Sequence, residues 1–263
     1  MRFLPALFLT LGLCLPAWAQ DSALRALQTG ADSRGWEAVG RLDLGAQGFC
    51  TGALIAEDLV LTAAHCLFDK DTGAAVDPAL IRFLAGWRNG RAAAYRQVSA
   101  AIAHPDYMGS DQDLVERTRH DVALLKLDQP IRLPSIRPFA MDDRLARGDE
   151  VGVVSYAQDR AEVPSLQQLC HVLERRGGAF VLSCDVDFGS SGAPVLSLRE
   201  GELRIVSVVA AKAEMGGQKV SLGTDLVGPV ADLRALMADA TSRPGPAHVR
   251  ILSGGGAGTF IRP

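Results

Sequence analysis

From about Gly35 to Ala238 the chain breaks into short β-branched and aliphatic runs separated by Gly, Pro, Asp and Asn. "GALIAEDLVLTAAHC" reads as strand, acidic turn, strand, and a tight turn with a helical twist. "AAAYRQVSAAIAHPDY" is a strand ending at His104-Pro105, and "DVALLKLDQPI" is an apolar strand stopped by Pro130. "DEVGVVSYA", "LQQLCHVLERR", "AFVLSCDV", "APVLSLREGELRIVSVVAA" and "VSLGTDLV" follow at roughly regular spacing. Many short strands with turn signals and little helical periodicity predict an all-β barrel or sandwich. One segment departs from this. "PVADLRALMAD" (Pro229–Asp239) sets Val230, Leu233 and Leu236/Met237 at helical spacing behind a proline, which predicts a C-terminal helix. Residues 241–263, rich in Pro and Gly, read as a loosely ordered tail. No internal repeat stands out.

The 263 residues suffice for one large domain or for two small barrels sharing an interface. "IRLPSIRPFAMDDRLARGDE", with three prolines and a charged turn, is the natural connection between two halves. A hydrophobic fraction of 48% with 22% charged residues is that of a globular protein. The net charge of -3 leaves no electrostatic footprint for nucleic acid, and no basic block suggests a membrane surface. Residues 1–19 read as a signal peptide, with one Arg, an apolar stretch and Ala17-Trp18-Ala19 as the cleavage site. A lipoprotein reading of Cys14 wants a small residue before it, and Leu13 is not small. Cleavage after Ala19 removes Cys14 and leaves Cys50, Cys66, Cys170 and Cys184 in an oxidising compartment, secreted or periplasmic. Three pairings are open to four cysteines; spacing favours Cys50–Cys66 and Cys170–Cys184. Zinc is the competing reading, but no C-x-x-C pair exists and the histidines are scattered.

Three residues stand out for chemistry. His65 in "LTAAHC" directly precedes a cysteine whose cross-link would pin the turn that carries it, and a base needs one orientation. Asp121 in "RHDVALLKL" opens an apolar strand, where a carboxylate is costly to bury unless it is hydrogen-bonded. Its neighbour His120 should face the other way, since side chains alternate along a strand. Ser191 sits in Gly189-Ser190-Ser191-Gly192. Flanking glycines allow positive φ, expose the serine and turn main-chain N–H groups inward. The N–H groups of Gly189 and Ser191 would then form an oxyanion hole. A G-x-S-x-G elbow is not matched, because residue 188 is Phe and residue 193 is Ala.

His, Asp and Ser in that chain order are one known solution to triad geometry. With them, the sequence resembles trypsin/chymotrypsin-fold serine peptidases of the bacterial secreted type, the glutamyl-endopeptidase-like group. "CTGALIAEDLVLTAAHC" is similar to the strand pair leading to that family's histidine, "HPDY" and "HDVALLKL" to its strand and its aspartate segment, and "GSSGAPV" to its serine segment. The match runs from about Trp36 to Val227. It implies two antiparallel six-stranded Greek-key barrels with the site in the cleft between them. Residues 36–138 would form the first barrel, and 139–240 the second barrel with a short C-terminal helix. Residues 20–35 would be an N-terminal segment or short propeptide. The implied activity is a serine endopeptidase acting on polypeptides as a monomer, free of the membrane after signal removal. His65 would be its base, Asp121 the orienter and Ser191 the nucleophile. A non-catalytic binding module of the same fold, or an esterase using the same triad, are the alternatives.

The resemblance also implies finer roles. Ser207 in "IVSVV" matches a serine that supports the triad aspartate and borders the substrate strand. Asp185, six residues before Ser191, matches the position at which trypsin-like enzymes bind Lys or Arg. The cysteine expected four residues before the nucleophile is instead Asp187, with Cys184 nearby. Glutamyl specificity would want a histidine in "RIVSVVAAKAEM", which has none, so basic, small and apolar P1 residues stay open. Ser190 stands where animal enzymes carry the aspartate that pairs with a new N-terminus, so activation by that pair is not expected. The acidic clusters "DKDTG" (Asp69–Gly73) and "SDQD" (Ser110–Asp113) lack the later ligands of a calcium loop. No metal or cofactor is expected.

Overall fold

A computed structural model describes residues 21–226 and 228–242. The expected signal peptide with Cys14, and positions 243–263 of the expected tail, lie outside them. In chain order the strands are β1 (Arg25–Ala26), β2 (Val39–Asp43), β3 (Phe49–Ala56), β4 (Leu59–Thr62), β5 (Arg82–Ala85), β6 (Ala94–Ala103) and β7 (Ala123–Leu127). They continue as β8 (Ala140–Met141), β9 (Glu150–Ser155), β10 (Ser165–Arg176), β11 (Ala179–Leu182), β12 (Pro194–Arg199), β13 (Glu202–Met215) and β14 (Gln218–Asp225). Helix α1 spans Leu114–Arg119 and α2 spans Pro229–Ser242.

Strands β2-β3-β4-β7-β6-β5 close into one antiparallel barrel. The second runs β10-β11-β14-β13-β12-β9 and closes through the β9–β10 pairing, with β1 added to β10 and β8 lying parallel to β13. Numbered within each barrel, both orders are 1-2-3-6-5-4. The expected pair of six-stranded barrels with a short C-terminal helix is the fold present. Closure removes the open edges that a free sheet exposes.

Strands β4 and β7 are nearly continuous apolar runs because both of their faces are covered. All four residues of β4 are buried, and its neighbour β7 buries all but Lys126. Lys126 reaches the β3–β4 turn instead, where its Nζ lies 2.6 Å from Asp58 Oδ2. Leu42, Leu54, Leu61, Phe83, Leu124 and Leu125 fill the first barrel, each at most 0% exposed. Burying each such side chain stabilises by about 1.5–3 kcal/mol. Val153, Val172, Phe180, Leu182, Val195 and Val206 fill the second.

Helix α2 follows the second barrel in sequence but packs on β6 and β7 of the first. Val230, Leu233 and Met237 are the buried face, joining the first barrel's core cluster. Helix α1 is an element absent from the strand pattern. Its cap is Asp113, whose carboxylate accepts the N–H groups of Val115 and Glu116. No helix among the described residues is long and apolar enough to cross a membrane.

Candidate active site

His65 lies in a short 3-10 turn, Ala64–Leu67, that follows β4. Cys66 within that turn is bonded to Cys50 of β3, so the turn is covalently held to the barrel wall. Asp121 sits just before β7, the strand paired with β4, and is 4% exposed. Its carboxylate meets His65 twice. Oδ1 accepts the His65 backbone N–H at 2.9 Å, and Oδ2 lies 2.7 Å from Nδ1. One bond fixes the turn and the other fixes the ring. Desolvation opposes charge on the imidazole, but the Asp121 charge and hydrogen bond outweigh it, despite the repulsive Arg117. The pKa of His65 is raised above its ordinary 6.5.

Tyr107 is a neighbour that sequence reading did not single out. Its ring packs on Phe68 with centroids 5.7 Å apart. Burial first, then the Asp121 charge, pushes its phenol above the ordinary range, so it stays protonated. His120 faces elsewhere, stacking its ring on that of His104 at 4.7 Å with 4° between planes.

Ser191 belongs to the loop before β12. Gly189 and Gly192 take φ of +96° and +78°, conformations that glycine adopts freely. A Cβ on Gly192 would also lie 2.1 Å from Thr62 Oγ1, 2.3 Å from Thr51 O and 2.9 Å from Ala63 N. The loop of Ser191 is therefore seated against Thr62–Ala63, just ahead of His65. Ser190 is wholly buried, with its Oγ 3.1 Å from Ser155 Oγ and 3.2 Å from Tyr156 O. Within the loop the Ser190 N–H donates to Asp187 O, the Ala193 N–H to Ser190 O and the Gly192 N–H to Val209 O. Among the described residues the N–H groups of Gly189 and Ser191 have no acceptor.

Thr51 on β3 is the second residue that sequence reading passed over. Its N–H donates to Ser191 O at 2.8 Å, and its hydroxyl to Gly189 O at 2.8 Å. The same hydroxyl accepts the Tyr156 N–H at 3.1 Å. One fully buried residue of the first barrel thus holds both ends of the serine tripeptide of the second, the Ser191 end by its backbone N–H and the Gly189 end by its hydroxyl. Only its position directly after Cys50 hinted at this.

Ser207, fully buried on β13, donates to Thr224 O at 2.8 Å. Thr224 Oγ1 contacts the Thr118 and Asp121 carbonyls, so Ser207 reaches Asp121 through Thr224 and the backbone. Asp185 is exposed, and its N–H donates to Gln167 Oε1 at 2.7 Å. The engaged carboxylate of this loop is Asp187, 2.7 Å from Lys212 Nζ, which also lies 3.9 Å above the Phe188 ring. Cys170 is bonded to Cys184. Two groups of potential metal ligands occur among the described residues. In Cys50, His65 and Cys66 the sulfurs are committed to a disulfide. In His104, Asp106 and His120 the rings stack, and His104 Nδ1 accepts the Asp106 N–H at 3.2 Å. The acidic clusters serve their own turns, Asp69 accepting from Thr72 and Asp113 capping α1.

A trypsin-like peptidase domain matches residues 50–204, from the disulfide ahead of His65 past the serine loop. The chain belongs to that family. Human (Homo sapiens) Kallikrein-10 is 34% identical over 116 residues, which are 43% of this chain and 40% of that protein. The match thus spans well under half of that relative's length. A solved Glu endopeptidase in complex with MPD superposes with a TM-score of 0.67, covering 85% of this chain and 98% of its own. At 17% identity that likeness concerns the fold.

Proposed function

We propose that this chain is an exported serine endopeptidase that cleaves polypeptides through an acyl-enzyme. The reading rests on the two-point contact of buried Asp121 with His65, beside a glycine-bracketed serine loop whose Gly189 and Ser191 N–H groups are unclaimed. Ser191 Oγ attacks the scissile carbonyl carbon while its proton passes to His65 Nε2. Negative charge on the former carbonyl oxygen is met by the two N–H groups. The C–N bond then breaks as His65 returns the proton to the leaving amine. Water repeats the sequence and frees the acid. Asp121 keeps the proton of the neutral ring on Nδ1 and stabilises the imidazolium. Two disulfides and the apolar leader support action in a secreted or periplasmic setting.

The test is cleavage of a defined peptide library by the purified protein with both disulfides formed, beside Ser191→Ala. Peptide-bond cleavage that the substitution abolishes is the expected outcome. Intact peptides throughout, with hydrolysis of simple esters only, would overturn the endopeptidase assignment in favour of an esterase.

A further inference from the structure

The segment ahead of the first barrel is not draped loosely on the surface. Leu27 is 0% exposed in the core, and β1 pairs with β10 through Arg25↔Leu166 and Ala26↔Ser165. Further upstream, Ser22 is tied to Leu169 by its N–H to the carbonyl (2.8 Å) and by its hydroxyl from the Leu169 N–H (2.9 Å). Asp21 Oδ1 lies 2.8 Å from His171 Nδ1.

These contacts converge on the residues that lead into the serine loop. Gln167 is 3% exposed on β10, and its amide is used at both ends. Nε2 donates to the Ser22 carbonyl at 3.0 Å, and Oε1 accepts the Asp185 N–H at 2.7 Å. Next to it the Cys170–Cys184 bond holds residue 184. On the other side, His171 exchanges bonds with Ser183, its N–H donating to Ser183 Oγ and its carbonyl accepting the Ser183 N–H. Ser183, Cys184 and Asp185 are therefore each held by β10, and the last of these grips also holds the N-terminal segment. From Asp185 the backbone runs through Asp187 and Phe188 to Gly189, with Ser191 two residues beyond. A buried primary amide with one donor and one acceptor committed has a single orientation, because flipping it would set donor against donor and acceptor against acceptor.

We propose that Gln167 is a positioning residue of the active site, through which the segment Asp21–Leu27 holds the serine loop in register. This rests on the peptidase reading above and extends it: residues 20–35 contain a working part of the enzyme, not a propeptide to be discarded. Gln167 acts through the backbone of Asp185 and does not touch substrate.

Phosphonylation by a small fluorophosphonate tests this, because the reagent places an oxygen in the oxyanion hole without filling a specificity pocket. Three variants of the full-length protein are compared: Gln167→Met, which loses both bonds; Gln167→Glu, which keeps the acceptor for Asp185 but not the donor for Ser22; and Asp21→Ala/Ser22→Pro. The second-order rate constant should fall at least about tenfold in Gln167→Met, less in Gln167→Glu, and in Asp21→Ala/Ser22→Pro as well. Combining the N-terminal change with Gln167→Met should add little further. Melting temperatures measured alongside separate positioning from packing. Lower melting temperature with unchanged phosphonylation of the folded protein overturns the proposal, and so do additive effects of the two changes. If Gln167→Met does not fold, the N-terminal variant, which leaves the core intact, decides by its own rate. Failure of the wild type to react sinks the peptidase reading itself, an outcome distinct from all of these.

Discussion

The two barrels share one strand order, yet they present their functional groups by different means. In the first, Asp121 and His65 are fixed by side-chain bonds at 2.9 and 2.7 Å and by the Cys50–Cys66 bond beside them. In the second, Ser191 is fixed by backbone: two positive-φ glycines, a buried Ser190 and main-chain bonds to Val209 and Thr51. The difference follows from the roles proposed for these residues. A base and its orienter need a tuned charge, which side chains provide. A nucleophile with an adjoining oxyanion hole needs exposed N–H groups, which only a sharply turned backbone provides.

Substitutions in the two barrels should therefore have different consequences. Asp121→Asn should leave the fold intact and lower kcat by roughly 10⁴-fold, because the amide favours the wrong imidazole tautomer. Circular dichroism with peptide kinetics checks both halves of the statement. Gly192→Ala should do the reverse and damage structure and activity together. The left-handed backbone alone costs about 1–2 kcal/mol for a non-glycine residue, and the added Cβ would overlap Thr62 Oγ1 and Thr51 O. A lowered melting temperature together with lost turnover is expected. Thr51→Val keeps the shape but strands the Gly189 carbonyl and the Tyr156 N–H. The expected loss is about 1–3 kcal/mol per stranded group, read as a lower melting temperature and a lower kcat.

The mildest probe is pH. His65 must be neutral to accept a proton, and its pKa is raised, so kcat/KM should fall on the acid side with a midpoint above 6.5. Asp121→Asn should move the midpoint of the residual activity downward, leaving Arg117 as a repulsive neighbour. The stability linked to His65 has the opposite sign. A raised folded-state pKa stabilises below the unfolded value and is lost as pH climbs through the folded one. Across that window activity should rise while this increment of stability disappears.

Much of the first barrel was legible because its signals are local. "LVLTAAHC" and "HDVALLKL" each join an apolar strand to a polar residue that such a strand does not need. The two cysteine pairs close short loops, and the pairing favoured by spacing is the one present. What escaped was long-range or purely backbone. Thr51 reads as an ordinary strand threonine until the second barrel is docked on it, and Gln167 is a polar residue in a strand until Ser22 and Asp185 meet across it. Helix α1 does carry a signal, Asp113 with Glu116 three residues on, but it is masked by the acidic cluster Ser110–Asp113 that ends on the cap. The equal strand order of the two barrels left no repeat in the sequence, because barrel topology is set by alternation and turns rather than by residue identity.

Two adjacent serines, Ser190 and Ser191, could carry the nucleophilic hydroxyl. Peptide mapping of the fluorophosphonate adduct on the disulfide-intact protein decides between them. The adduct is predicted on Ser191 alone, since the Ser190 hydroxyl is buried against Ser155 and Tyr156. An adduct on Ser190, or none on protein that melts cooperatively, would contradict it.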